Sequence, residues 1–472
     1  MAKQTVCFVV VLVLGGGCAS SPLSKGSVAD ASSAAQAADD NSTITQVDFE
    51  ESVLPELVQP PSVAESLEGT VESDSPQPLP PAGGLNLDAL EQMAFTNSPA
   101  IAQSAARVRA LRGKWVQVGL APNPTVGYVA GEIGNDGAAG QQGGFVGQNF
   151  ITAKKLQRNR AVVSAEISRA EQDLAAVQRR VQTDVRQGFY EALLAQRRVE
   201  LAAELVRVTA EAAEASKSLV EAEEIPVAGM LQTEVQQQNA QVLLRTAQNG
   251  LSQAWRRLST VVGGPELPMQ QLEGEVSQLP ELLDWDEQLA RLQSESPEIA
   301  AAIAEVERTR RALNRACVEA VPNISTQLSV QYDDATSDTI AGVQVGIPLP
   351  LWNRNQGGIR QAQADVSEAI RNVDRVELNL NRRLADAFRQ YTDAHVTATS
   401  YASDILPRAQ RTFELVQGGY KQGEVGYLDV LAAQQTYSQT NLVYLDALGS
   451  LWQSYVEIEG LLLKDSLSSP AN

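Results

Sequence analysis

Histidine occurs once in the 472 residues, methionine four times and cysteine three times. The cysteines and His395 stand far apart, so no ligand set for zinc or a similar metal is present. Cys7 lies in a leader-like segment and Cys317 stands alone in a helical pattern, which excludes a disulfide framework. No glycine-rich phosphate loop and no nucleophile–base pair can be read from the chain. The sequence therefore predicts no enzyme, no metal and no cofactor. Aromatic residues make up only 5%, too few for an ordinary compact core. Basic residues are also short, 37 against 57 acids, for a net charge of −20. That balance excludes nucleic acid as a partner.

What is abundant is Ala, Gln, Leu, Arg and Glu, the composition of long helices packed through small residues. The N-terminus reads as an export signal over residues 1–17. Lys3 precedes the apolar run Val6–Leu14, and three glycines then lead to Cys18. The apolar run is too short to span a membrane. A cysteine straight after small residues resembles a bacterial lipobox, with Gly15 where leucine is usual and Leu14 one place further out. Cys18 is then the expected lipidation site. Ala19 follows it, so no aspartate marks the chain for inner-membrane retention. Residues 19–84 hold eleven acids and one lysine among Ser, Ala and Pro. Such a stretch cannot bury enough apolar surface to fold alone, and 18–84 reads as a lipidated, acidic, disordered tether.

From residue 85 onward the chain repeats itself. Ser98-Pro99 recurs as Ser296-Pro297, and Pro124 has a counterpart in Pro322, both at an offset of about 198. Glu224-Ile225 recurs as Glu424-Val425, and Leu251, Trp255 and Leu258 as Leu451, Tyr455 and Ile458, at an offset of about 200. The expected units are 85–265 and 284–464, with 266–283 as linker and 465–472 as tail. Each unit should carry a helix opened by Ser-Pro (about 98–119 and 296–320), two strands, a long helix, a break and another helix. Residues 153–222 contain no proline and one glycine, Gly188. A helix over that range would be about 105 Å long. Val177, Val181, Val185, Phe189, Ala192 and Leu193 form a narrow seam along it. In the second unit the matching run is 357–406, with Pro407 marking a kink or restart.

The strands carry the functional signal. In Pro322–Tyr332, Ile324, Thr326, Leu328, Val330 and Tyr332 alternate with Ser325, Gln327, Ser329 and Gln331. The run has the length of a transmembrane strand, and its second face suits a watery lumen. The expected strands are about 124–133, 143–151, 322–332 and 339–351, with Ile347, Leu349 and Leu351 completing the last. Four strands cannot close a barrel, and open edges are not tolerated in lipid. Several copies would have to share one barrel. After Leu351 the chain turns polar, so Pro348 and Pro350 read as a ladder terminator and Trp352 as an interfacial aromatic. Asn353–Gly358 reads as a flexible elbow into the next helix.

Val343–Gly358, Val146–Lys155 and Tyr420–Leu431 together resemble the TolC family of outer-membrane efflux proteins. The resemblance covers about residues 85–464. It implies a mainly α fold with a membrane β-barrel part: a homotrimer with a twelve-stranded barrel continued by a periplasmic α-barrel. It also implies a passive exit duct in outer-membrane lipid. Its partners would be a periplasmic adaptor (membrane fusion) protein and an inner-membrane pump, most simply of RND type. By the same resemblance, Gly423, Glu424 and Val425, with Glu223, Glu224 and Ile225, would be tips that meet the adaptor. Asp429 and Tyr427 would stand at the periplasmic aperture, with Ala432 where relatives carry a second acid. The competing reading is a secreted or lipid-anchored coiled-coil scaffold with no channel, which gives no reason for two proline-bounded hairpins one repeat apart.

Overall fold

The computed structural model describes residues 85–468 apart from 136–137, 265–266 and 423. Cys18 and the acidic tether lie outside the described residues. The first repeat runs α1 (Leu87–Asn97), α2 (Pro99–Gln117), β1 (Thr125–Asn135), β2 (Ala138–Phe150), α3 (Lys155–Glu221) and α4 (Val227–Val262). The second runs α5 (Trp285–Glu295), α6 (Pro297–Cys317), β3 (Ile324–Asp333), β4 (Asp338–Gly346) and α7 (Gln356–Ser400). A π-helical turn (Tyr401–Ile405), α8 (Leu406–Lys421) and α9 (Tyr427–Glu459) complete it. No described helix is long and apolar enough to cross a membrane.

The two repeats use the same local chemistry. Asn86 caps α1 by accepting from the Ala89 N–H at 2.9 Å, and Asp284 caps α5 by accepting from Glu287 at 3.0 Å. Ser98 and Ser296 then break the chain with identical backbone angles, φ −65° and ψ 119°. Each precedes a proline at the first helical position, where its missing N–H costs nothing. Helix α6 has 21 residues against 19 in α2. That difference moves the repeat offset from 198 to 200 before the strands begin. The counterpart of Pro322-Asn323 is therefore Pro122-Asn123, and the pairing of Pro124 with Pro322 is corrected.

Helix α3 keeps 67 residues unbroken, about 100 Å of axis at the usual rise. Val181, Val185, Phe189, Ala192 and Leu193 are buried along its seam, while Val177 is only half-buried. The second repeat interrupts the same run. Pro407 has no N–H to continue the ladder, and Leu406 instead donates five residues back to the Tyr401 carbonyl.

One continuous core gathers residues of α1, α3, α4, α7 and α9 around Val185, Leu258, Leu384, Tyr391, Leu448 and Leu451. The inter-repeat segment is not a free linker. Leu272 and Val276 are buried in this core, and Leu272 bridges to Leu85. Trp255 and Trp452 donate their indole N–H groups to the Leu267 and Val276 carbonyls, each at 3.0 Å. The Tyr391 hydroxyl donates to the Glu281 carbonyl at 2.9 Å and accepts from the Leu283 N–H at 3.2 Å. The expected tail is also tied down at its start. Asp184 accepts from the N–H groups of Asp465 and Ser466 at 2.9 and 2.6 Å. Glu298 joins α3 to α7 by pairing with Arg180 and Arg383, each at 3.1 Å.

Tyr391→Phe keeps the ring's packing and strips the linker of both hydroxyl bonds. We expect a loss of about 1–3 kcal/mol, the cost of leaving buried backbone groups unpaired. Thermal or denaturant unfolding of the purified protein measures it.

Candidate functional site

The four strands form one antiparallel sheet in the order β1-β2-β3-β4. Val126, Val146, Leu328 and Val343 stand in register across all four strands. Their exposures are 75%, 49%, 59% and 74%. Tyr128, Val330 and Tyr332 extend the same face, and Tyr128 donates to Gln142 at 3.0 Å. The opposite face is polar or small: Thr125, Gly147, Gln327 and Gln344 make the neighbouring row. Val129, Phe145 and Ile340 are the apolar exceptions, and the Phe145 ring lies over Gly127 so closely that a Cβ there would meet it at 2.5 Å. A sheet in water buries its apolar face. This one presents it outward over its whole width, the pattern of a lipid-facing barrel wall around a polar lumen.

The ladder ends where the chain leaves this sheet. Gly346 pairs with Ser325, and Ile347–Pro350 is no longer strand. The expectation that Ile347, Leu349 and Leu351 complete β4 is corrected. Pro348 and Pro350 cannot donate, and β3 begins at Ile324, so the overhang has nothing to pair with inside the protomer. Ile347, Leu349, Leu351 and Trp352 remain exposed, Trp352 at 86%.

Both elbows into the long helices use left-handed residues. Ala153 and Lys154 (φ 54° and 55°) precede α3, and Asn355 (φ 59°) precedes α7. The second elbow is held rather than flexible, and Gly357 and Gly358 already belong to α7. Asn353 Oδ1 accepts from the Asn355 N–H at 3.0 Å, and Asn355 Nδ2 donates to the Ala316 carbonyl at 2.9 Å. The first elbow clasps the chain just before β3. The Thr152 N–H donates to Asn323 Oδ1 at 3.3 Å and its hydroxyl to the Pro322 carbonyl at 2.5 Å. Buried Lys155 donates to the Val321 carbonyl at 2.6 Å and to Asn323 Oδ1 at 3.1 Å. Sequence reasoning missed this clasp, although the repeated Pro-Asn dipeptide was a signal for it.

At the far ends of the helices the two tip turns share one hydrogen-bond scheme. The Glu224 N–H donates to the Leu219 carbonyl and the Glu424 N–H to the Gly419 carbonyl, each at 2.9 Å. Glu223 takes the left-handed position at φ 60°, where glycine would be unstrained. Its counterpart Gly423 lies outside the described residues. Glu223, Glu224 and Glu424 are exposed, while Ile225 and Val425 are half-buried. Pro226 and Gly426 are the N-caps of α4 and α9, in the same extended conformation. Here the repeats diverge for a physical reason. Gly426 has an N–H, and the Asp429 carboxylate accepts it at 3.0 Å. Pro226 has no N–H, and the residue matching Asp429 is Gly229. Asp429 is thus a helix cap as well as an exposed carboxylate. Tyr427 points the other way, half-buried against Tyr420 with ring centroids 5.7 Å apart. Burial pushes its phenol above the ordinary range, opposed by the neighbouring Ser216 hydroxyl of α3. It packs the second tip onto the first, and nothing within the protomer joins it to Asp429 as one charged site.

An inside-out sheet that runs through two fixed elbows into helices of this length defines a membrane-barrel protein with a helical extension. Comparison with known proteins gives its kin. The family model described as outer membrane efflux protein matches residues 289–462. The cobalt-zinc-cadmium resistance protein CzcC of Cupriavidus metallidurans is 28% identical over 391 residues, covering 82% of this chain and 91% of that protein. The fold resembles CusC (TM-score 0.66, 18% identity, 80% of this chain and 92% of that one). It also resembles the outer-membrane channel OprN (0.67, 17%, 81% and 91%) and the outer-membrane protein VceC of Vibrio cholerae (0.65, 15%, 80% and 96%). The second repeat thus matches the outer membrane efflux protein family, and the fold as a whole is that of TolC-like outer-membrane channels.

Leu328→Lys places a charge in the middle of the outward row, and Gln327→Lys places one on the polar face. We expect the first to cost the assembled barrel about 2–4 kcal/mol, as charges on a lipid-facing midplane do, and the second to be tolerated. Heat-modifiability of the membrane-extracted protein on gels separates the two.

Proposed function

We propose that this protein is the outer-membrane exit duct of a tripartite efflux system. The observation that carries the reading is the four-strand apolar row, exposed outward on a sheet with two open edges. The match of residues 289–462 to the outer membrane efflux protein family and the likeness to CzcC support it. In this reading three copies close a twelve-stranded barrel, since an open edge is not viable in hydrocarbon. Helices α3, α4, α7, α8 and α9 continue the passage into the periplasm. The duct is passive, with a periplasmic adaptor and an inner-membrane pump of RND type supplying energy and cargo. Relatedness to a cobalt-zinc-cadmium resistance protein makes divalent metal the cargo class to test first. Trp352 and the prolines Pro348 and Pro350 mark the membrane–periplasm interface.

The tips carry the coupling. Glu223, Glu224 and Ile225, with Gly423, Glu424 and Val425, form the turns offered to the adaptor. Around the threefold axis, Asp429 would contribute three carboxylates to one ring at the narrow end, with Tyr427 packed behind it. Such a ring raises the local cation concentration in a constricted, low-dielectric mouth.

Asp429→Asn tests the ring without dismantling the helix, because an amide oxygen still accepts the Gly426 N–H. In planar bilayers under a salt gradient, the reversal potential should move toward zero in the variant. An unchanged cation preference removes Asp429 from the aperture. Lipidation at Cys18 belongs to the same reading. Metabolic palmitate labelling should mark the wild-type chain and be lost in Cys18→Ala, and an unlabelled wild type would dismiss the anchor.

A further inference from the structure

Among the described residues the clasp at the first elbow has no second-repeat counterpart, although an asparagine and a free elbow N–H for one are present; the Pro122 carbonyl accepts from Gln148 instead, at 3.0 Å, and Gln356 is bonded to Arg354 and Trp352. In the first repeat, Thr152 and Lys155 grip Pro322-Asn323 at the entrance to β3. The same dipeptide occurs at Pro122-Asn123, at the entrance to β1. Asn323 is half-buried and its Oδ1 accepts two hydrogen bonds; Asn123 is exposed and its side chain has no partner among the described residues. The elbow that should grip it is the second. Lys154 and Asn355 are matching left-handed N-caps, so Thr152 matches Asn353 and Lys155 matches Gln356. The backbone N–H of Asn353 has no partner among the described residues, and its side chain is exposed.

The sheet explains why these halves never meet in one chain. Elbow one follows β2, and Asn323 precedes β3, its neighbour in the sheet. Elbow two follows β4, and Asn123 precedes β1, at the opposite edge. Only a second copy, laid with its β1 beside β4, brings them together. The exposed overhang Ile347–Leu351 is then alongside the start of that copy's β1, where its apolar side chains extend the outward row. We propose that Asn123 of each protomer docks on the second elbow of the next, accepting from the backbone N–H of Asn353 of the partner subunit. This clasp repeats around the trimer at the seam between the membrane sheet and the helices. The inference rests on the trimeric reading above and gives it a specific contact.

Disulfide trapping in the full-length protein tests it. In a Cys317→Ser background, Asn123→Cys is combined with Asn353→Cys and the membranes are treated with a mild oxidant. Thr152→Cys with Asn323→Cys reports the clasp that is seen within the chain. We expect the first pair to give covalent dimers and trimers on non-reducing gels, reversed by reductant. The second pair should lose its free thiols without a change in mass. Native gels of the unoxidised proteins run in parallel, and Asn123→Ala should lower the temperature at which the native trimer dissociates in detergent. Trimers on native gels that never cross-link through Asn123 and Asn353, while the Thr152 and Asn323 pair closes, would overturn the clasp and leave the trimer intact. Monomers alone on native gels of the wild type would overturn the trimer, and the clasp with it.

Discussion

A backbone amide in hydrocarbon has no water to turn to, and this constraint organises the whole molecule. The sheet turns its apolar face outward from Val126 to Val343, yet leaves one side of β1 and one side of β4 without a strand. Neither feature is stable alone. An exposed apolar sheet in water invites aggregation, and an open edge in lipid strands its donors and acceptors. In the proposed duct, closure by further copies around a polar lumen answers both, and the elbows, helices and tips would connect that barrel to the periplasm. The core around Val185, Tyr391 and Leu448 fixes the helices at mid-length, so the sheet at one end and the tips at the other are carried by one braced girdle.

Duplication supplies the geometry economically, and the departures from it carry the specialisation. The two Ser-Pro breaks share their backbone angles, and the two tip turns share their hydrogen bonds. Where the copies differ, each change has a physical consequence. Proline at position 226 dispenses with the cap that Gly426 requires, and so frees position 229 from carrying an acid. Pro407 forces a π turn in a run that α3 completes without a break. The second repeat therefore holds both the acidic cap and the interrupted helix.

Much of this was legible in the sequence. Alternation in residues 322–332 identified a strand with two unlike faces, and the absence of helix breakers from 153 to 222 identified the longest helix. The repeat paired the breaks at Glu224-Ile225 and Glu424-Val425, and the family resemblance made them tips. What was not legible depends on partners far away in the chain. The strand signal at Ile347, Leu349 and Leu351 is real as a pattern, but pairing decides where a strand ends, and β3 supplies no partner beyond Ser325. The inter-repeat segment looked like a linker because it lies between the two matched copies and carries Pro268, Gly274 and Pro280. It is anchored because two tryptophans and Tyr391 hold its backbone and Leu272 and Val276 enter the core. Short-range matching of prolines placed the repeat offset two residues out at the strands, since the extra residues of α6 leave no mark in composition. The dual part of Asp429 was also hidden: a carboxylate three residues into a helix is equally a cap and a charge, and only the Gly426 N–H distinguishes them.

In the proposed duct the Leu328 face meets lipid and the Gln327 face meets water. Nitroxide spin labels at these adjacent positions, in protein reconstituted into phospholipid vesicles, test it directly. Relaxation of the Leu328 label should be enhanced by dissolved oxygen, which concentrates in hydrocarbon, and hardly by a water-soluble nickel chelate. The label at Gln327 should show the reverse. Equal access of the chelate to both positions would mean that the sheet stands in water on both faces and is no barrel wall.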